Sequence, residues 1–358
     1  MRFPVLSFAL CLGLSAQPAL AQVFETHGDW MLACSNLNAC TVLGATRPQR
    51  DRAVFLRISR EAGPDAPVVL SVGGLLDDND PDERPVGLAF EGQTPGLPGP
   101  LAVSQDDDAS GHATLPAQDH GHVLAGLRKA DRVLLTIPTA PDAPATFVVD
   151  LEGAMKALSG MDRIQRRDGT VTALASPGGR PASAVPEAPA VPEIIAARTP
   201  ADAPPAALPE VLRDHLCEDA RQAGLGVPGV NLKALVDFAE RLTPDLNLWG
   251  LRCSEGAYNF GNTLLVGRDD GPVEQIELEV PTPLEERLNG AELVNGFFSP
   301  ADMTLTGYTK SRGMGDCGSL ARWVWDGKRF RLVHLKAMPS CRGILSEDWP
   351  SLWQAQVR

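Results

Sequence analysis

Short apolar runs alternate with clusters of turn-forming residues along this chain, on both sides of a Pro- and Ala-rich interruption. Before the interruption, GDWMLAC (28–34), ACTVLG (39–44), AVFLRISR (53–60), PVVLSVGG (67–74) and VGLAFEG (86–92) are apolar or alternating. PDAP, DDNDPDERP and GLPGP punctuate them. Runs of this length between such residues predict β-strands. RVLLTIP (132–138) and ATFVVDLEG (145–153) read the same way. Two stretches carry helical spacing instead. GHVLAGLRKA (121–130) puts Val123, Leu124 and Leu127 on one side, and GAMKALSGMDRIQRR (153–167) repeats Met155, Leu158, Met161 and Ile164 at intervals of three.

After the interruption the pattern opens with helical signals. Pro209 suits a helix start before Val211, Leu212, His215 and Leu216. Asn231 is placed to cap KALVDFAERL (233–242), in which Leu235, Phe238, Ala239 and Leu242 share a face. Strand-like runs follow: LNLWGLRC, AYNFGNTLLVG, VEQIELEV, MTLTGYTK, LARWVWDG and KRFRLVHL. Asp326-Gly327 between the last two marks a hairpin, since the pair tolerates positive φ. The fold class expected is α+β, mainly β.

The interruption itself, residues 181–210, holds eight Pro and ten Ala. Proline fixes φ and donates no N–H, so the stretch predicts an extended, semi-rigid spacer. The expected organisation is a β-rich domain at 22–178, a linker at 179–208, and a second β-rich domain with two opening helices at 209–358. Limited proteolysis is expected to cut in the linker and leave two folded fragments.

The first residues read as a cleavable secretory leader. Arg2 precedes an apolar run over 5–14, and Ala19-Leu20-Ala21 offers a small-x-small cleavage site after Ala21. A periplasmic or secreted protein with no membrane span after cleavage is therefore expected. Cys11 leaves with the leader, and the six cysteines that remain read as disulfides in an oxidising compartment. Spacing favours Cys34–Cys40 across a hairpin, Cys217–Cys253 between the opening helix and the first strand of the second domain, and Cys317–Cys341. No C-x-x-C occurs, which argues against a zinc ribbon or a thioredoxin-type centre.

Charge narrows the partners. With 32 basic and 45 acidic side chains the formal charge is −13, which leaves no electrostatic footprint for nucleic acid. There is no G-x-S-x-G elbow, no free thiol is expected, and the glycine pairs at 73–74 and 178–179 lack a phosphate-loop context, so no cofactor is called for. His120 and His122, beside Asp119 and downstream of Asp106, Asp107 and Asp108, are weak metal candidates; a polar loop with Asp119 as helix cap is the plainer reading. The run Asp77 to Glu83 lacks the glycine and distal glutamate of a calcium loop and reads as a solvated acidic turn.

One loop reads as a binding element: Ser311-Arg312-Gly313-Met314-Gly315-Asp316-Cys317-Gly318. Its glycines permit close backbone approach, a bridge at Cys317 limits its freedom, and Arg312 offers a planar fork for carboxylate or phosphate. Tyr258, Asn259 and Trp323 are the expected companions, with Asp316. The competing account makes Arg312 a partner of Asp316 and sends the aromatics to the core. Five of six tryptophans fall after the interruption, and Trp323 and Trp325 alternate onto one sheet face, as a stacking platform or as core. The leading expectation is a non-enzymatic binding or interaction protein of the cell envelope, whose partner is an envelope protein or glycan. A hydrolase of an envelope polymer using acids such as Glu255, Asp316 and Asp326 is the alternative, and metal binding through Asp119–His122 is a third.

GDWMLAC–x5–C, ALSGMDRIQRRDGTVTAL, CSEGAYN, SRGMGDCGSLARWVWDGKRFRL, CRG and DWPSLWQA, in that order, resemble the exported six-cysteine bacterial family known as domain of unknown function 1176. The first half is also distantly similar to the invasion-associated locus B family. The main resemblance implies an exported envelope protein and lends no reaction, substrate or catalytic residue.

Overall fold

The computed structural model describes residues 23–46, 53–75, 87–92, 104–105, 110–138, 144–197, 204–210, 212, 235–281, 284–285 and 288–358. The leader, the acidic turn at 77–83, Asp106–Asp108, Cys217 and most of the helix expected after Pro209 lie outside them. The architecture is mainly β, with two short α-helices among the described residues, and no helix there is long and apolar enough to cross a membrane.

The first half is built on an antiparallel sheet of β1 (Val23–His27), β2 (Trp30–Cys34), β3 (Cys40–Ala45), β4 (Val54–Arg60) and β5 (Val68–Leu75) in sequence order. A three-stranded sheet places β9 (Arg132–Pro138) between β6 (Gly87–Phe90) and β10 (Pro144–Asp150). Beyond β5 the first sheet continues through β8 (Ser110–Thr114) to β7 (Ser104–Gln105). Helix α1 (His120–Leu127) and helix α2 (Ala154–Ile164) occupy the segments whose spacing was helical. One face of the first sheet meets α2, α1 and the smaller sheet in a core that includes Trp30, Leu56, Ile58, Phe90, Leu158 and Met161. Gly160 lets α2 approach β2, since a Cβ there would lie 2.5 Å from a Leu32 methyl.

The second half stacks two sheets. In the first run β12 (Leu235–Arg241), β13 (Leu246–Glu255), β14 (Phe260–Arg268) and β15 (Val273–Ile276), with β16 (Leu293–Val294) also paired to β14. The second is β17 (Phe297–Ser299), β18 (Thr304–Lys310), β19 (Gly318–Trp325), β20 (Phe330–Met338) and β21 (Ser351–Gln354). Their shared core holds Leu248, Leu264, Leu305, Trp323, Trp325, Phe330 and Leu335. The β19–β20 hairpin turns at Asp326–Arg329, wider than a two-residue turn. Asp326 Oδ1 accepts the N–H groups of Lys328 and Arg329, and Gly327 sits at φ +94°.

Two expectations are corrected. KALVDFAERL is a strand over Leu235–Arg241 and not a helix: pairing with β13 supplies its backbone hydrogen bonds, and Arg252 on that neighbour binds Asp237 at 2.9 Å. Tertiary pairing overrides a local preference for helix. Apart from a 3-10 turn at Ala182–Ala184, the described part of the Pro/Ala segment is largely extended, as its prolines favour, but it is docked and not a free spacer. Val185 and Ile194 are buried, and β11 (Glu193–Ile194) pairs in parallel with β22 (Gln356–Val357). Ile194 packs on Val324 and Val333.

The halves also share a core. The second face of the first sheet presents Met31, Leu43, Ala45 and Phe55 to Cys317, Met338, Ile344 and Trp349. Both faces of β2 are therefore covered, which explains why all five of its residues are buried and why its sequence is continuously apolar.

Candidate functional site

The loop singled out by sequence is a closed unit. Cys317 is bridged to Cys341, and Cys34 to Cys40. Cys253 is also disulfide-bonded, with its partner outside the described residues. Arg312 Nε donates to Asp316 at 2.6 Å, and its Nη2 donates to the second carboxylate oxygen. Asp316 is fully buried and also accepts the Gly343 N–H. Burial pushes its carboxyl up, but the Arg312 pair and the main-chain donor outweigh that and hold it below the usual carboxylate range. Nε and Nη2 of that guanidinium are both spent on the two oxygens of one buried carboxylate, which leaves this edge of the planar fork poorly placed to take an exogenous anion.

Of the companions, Tyr258 and Asn259 reach the loop and Trp323 does not. Trp323 is 2% exposed, and its Nε1 donates to the Glu279 carbonyl at 2.9 Å, so the stacking role expected for it is corrected: with Trp325 it is core. Tyr258 is exposed and donates to the Ser311 carbonyl at 3.1 Å. Asn259 ties the Lys310 main chain from both ends of its amide and accepts from Asn295. These contacts brace one loop against another.

The metal candidates do not assemble. His120 Nε2 lies 3.0 Å from the Leu115 carbonyl, and His122 lies against the Phe90 ring. Asp119 precedes α1 without a side-chain cap bond. Among the described residues the cluster of three ligating groups is Asp316, Cys317 and Cys341, whose sulfurs are joined as a disulfide.

A different place carries an open arrangement. Where the halves diverge beyond their shared core lies a cleft of about 340 Å³. Thr41, Ser59 and Val69 form a row across β3, β4 and β5, with Arg57 two residues back on the same strand. Facing them are Lys336 from β20, Ser351 and Gln354 from β21, and Glu347 and Trp349 from the segment between. Arg57 lies over the Phe55 ring at 5.4 Å and pairs with the buried Asp348 at 3.0 Å. His112 also bonds Asp348. Burial lowers the Arg57 pKa against the opposing pull of Asp348. Its Nε is buried without a hydrogen-bond partner among the described residues.

Lys336 Nζ donates to the Glu347 carbonyl at 2.8 Å and the Ser346 carbonyl at 3.4 Å. Burial holds its ammonium below the ordinary lysine range, Glu347 opposing that and Arg57 adding to it. Beside it, His334 Nε2 lies 2.9 Å from Ser351 Oγ. Burial, with Lys336 and Arg322 nearby, drives the His334 pKa down to about 4. That imidazole is neutral near pH 7 but too weak a base to activate a hydroxyl well, because general bases work best with a pKa near the operating pH.

The walls are fastened by groups within the quoted sequence blocks. Arg342 of CRG donates to Asp29 of GDW at 2.7 Å and to the Ala45 carbonyl at 3.1 Å. Asn36, inside the Cys34–Cys40 loop, exchanges hydrogen bonds with the Gln354 main chain. A model of the family described as "Protein of unknown function (DUF1176)" matches residues 24–356. This chain belongs to that DUF1176 family. A relative from Escherichia coli (strain K12), named "Uncharacterized protein YpfG", is 30% identical over 344 residues, covering 92% of each chain. The crystal structure of invasion associated protein b from Bartonella henselae aligns with 40% of this chain and 99% of that one, at 19% identity and a TM-score of 0.32. The DUF1176 assignment brings no reaction with it, and the cleft needs both halves of the matched region.

Proposed function

We propose that this DUF1176 member is an exported protein of the cell envelope that binds a small ligand without transforming it, in the cleft between its halves. The observation that carries the reading is the cleft itself. It has the size of a small-molecule site, lies at the junction of two halves, and sets half-buried cations among neutral hydrogen-bonding side chains. The leader-like start and the disulfides support export, since such bridges persist in oxidising compartments. Cleavage after Ala21 leaves Gln22 as the first residue. In this reading the Arg312–Asp316 loop is a buttress: through Gly343 and Arg342 it holds the segment that carries Trp349 against the first half.

Two measurements test this. N-terminal sequencing of protein recovered from the periplasmic fraction is expected to begin at Gln22; an intact leader, or protein confined to the cytoplasm, overturns export. Thermal shift against cationic, neutral and anionic metabolites is expected to give a saturable rise in Tm for one class, because a ligand of the folded state alone stabilises it by mass action. Chemical conversion of the bound compound, followed by NMR, overturns the non-enzymatic reading.

A further inference from the structure

Resting on the binding reading above, we infer that the cleft takes a small oxyanion-bearing molecule, a carboxylate or a phosphate, gripped between Arg57 of the first half and Lys336 of the second. Arg57 lines the cleft from β4 and is half-buried. Its Nε has no partner among the described residues but is sealed from solvent, so what it offers the cleft is a half-buried positive charge. Its guanidinium is oriented beforehand by the Phe55 ring on one side and Asp348 on the other, which lowers the ordering cost of binding.

Lys336 differs from Arg60, which meets a carboxylate directly: its Nζ is held by two main-chain carbonyls, much as the buried Arg167 is held by the Gly63 carbonyl and Thr172. Among the described residues no carboxylate lies within hydrogen-bond distance of Lys336 Nζ. Its charge is thus positioned without being matched by contact, in a partly dry place where a matching charge counts for more.

Acids are present as well. Glu61 and Glu347 line the cleft but are exposed, where water screens them. Asp348 is turned to Arg57 and His112. Thr41, Ser59, Ser351 and Gln354 supply neutral donors around the two cations. Three basic side chains, Arg57, Arg60 and Lys336, line the cleft with two acidic ones, Glu61 and Glu347, in a chain of formal charge −13. A cationic ligand would have to displace its own water beside two desolvated positive groups, which is strongly unfavourable.

The test uses the mature full chain at pH 7.5 and constant ionic strength, with isothermal titration against inorganic phosphate and against succinate and with chloride as the control anion. Saturable binding of one or both oxyanions and none of chloride is expected; the stronger of the two identifies phosphate or carboxylate as the group recognised. Lys336→Met, which keeps the stem and removes the charge, is expected to weaken binding about tenfold or more, equivalent to one charge-assisted hydrogen bond. Arg57→Lys is expected to weaken it similarly, because the planar fork is lost. Circular-dichroism melts establish that both variants are folded. No binding of either oxyanion, or binding unchanged in a folded Lys336→Met, overturns the inference. The metabolite thermal shifts keep the two claims apart: a neutral or cationic compound that binds while phosphate and succinate do not sinks the oxyanion claim and leaves the binding reading, and silence across all classes sinks both.

Discussion

Arg57 and Arg60 leave the same strand three residues apart, and so on opposite faces of one sheet. Arg60 turns into the first half. Its Nη2 meets Asp162 at 2.9 Å, its Nε meets Gln165 at 2.8 Å, and its Nη1 meets the Thr172 carbonyl at 2.7 Å. Asp162 in turn accepts the N–H groups of Leu174 and Ala175. Burial and the neighbouring Arg167 push the Arg60 pKa down to about 10, so it stays charged at any physiological pH. Arg57 turns toward the second half and keeps an N–H without a partner among the described residues. The same residue type on the same strand is a saturated fastening on one face and an unsaturated grip on the other. On β4 the two arginines differ in saturation more than in residue type or charge.

The most severe break is at the saturated face. Asp162→Ala leaves Arg60 charged and buried without its carboxylate, and is expected to cost about 4 kcal/mol in chemical denaturation. Arg60→Lys is expected to be smaller but still clear, since the three donors of an ammonium sit on one nitrogen and cannot reach acceptors spaced around a planar guanidinium. If Asp162→Ala changed stability by less than 1 kcal/mol, the network would carry none of the weight given it here.

Next in size is the face that joins the halves. Phe55→Ala opens a cavity in the shared core and is expected to cost about 3 kcal/mol. Nicking the chain within 198–203 is expected to leave fragments that co-elute on size exclusion, because the shared core and the β11–β22 pair outlast a cut there. Separate elution of two folded fragments would restore independent domains.

Acidification probes the second wall of the cleft. His334 has an ordinary value near 6.5 in the unfolded chain and about 4 in the fold. Between these values the unfolded chain holds a proton that the folded one does not, so stability falls as pH drops through that window and levels off below it. The loss from pH 7 to pH 4 attributable to His334 is on the order of 2 kcal/mol, and His334→Gln is expected to flatten that part of the stability–pH curve. An unchanged slope in the variant would place the titration elsewhere.

The smallest stability effect sharpens the contrast most. Arg57→Lys keeps a cation near Asp348, which also retains His112, and is expected to cost less than about 1 kcal/mol. Were it to match Arg60→Lys, the two faces of β4 would be energetically alike and the distinction between them void.

Much of this was legible along the chain. Strand runs, both described helices, the β19–β20 turn and the Cys34–Cys40 and Cys317–Cys341 bridges follow from alternation, helical spacing, turn chemistry and cysteine position. Those are local properties, because periodicity and φ preference are settled within a few residues. KALVDFAERL escaped local reading because its amphipathic spacing suits a helix, and only the presence of β13 alongside makes it a strand. A signal for the buried junction did exist: GDWMLAC is too continuously apolar for a strand with one wet face, and a strand covered on both sides needs a second layer. No pattern in the sequence says that this layer comes from the other half of the chain.

The site divides the same way. Glycines, a bridged cysteine and Arg312 made the 311–318 loop look like a binding element, and residue types alone could not show that Asp316 already occupies that arginine. Arg57 and Lys336 stand 279 positions apart in the sequence, in two unremarkable strands. By itself the sequence determined most of the strand segments and which cysteines lie near enough to bridge. The tertiary structure alone decided which charges are matched and which are left open, because hydrogen-bond saturation depends on groups that meet only when distant strands pack.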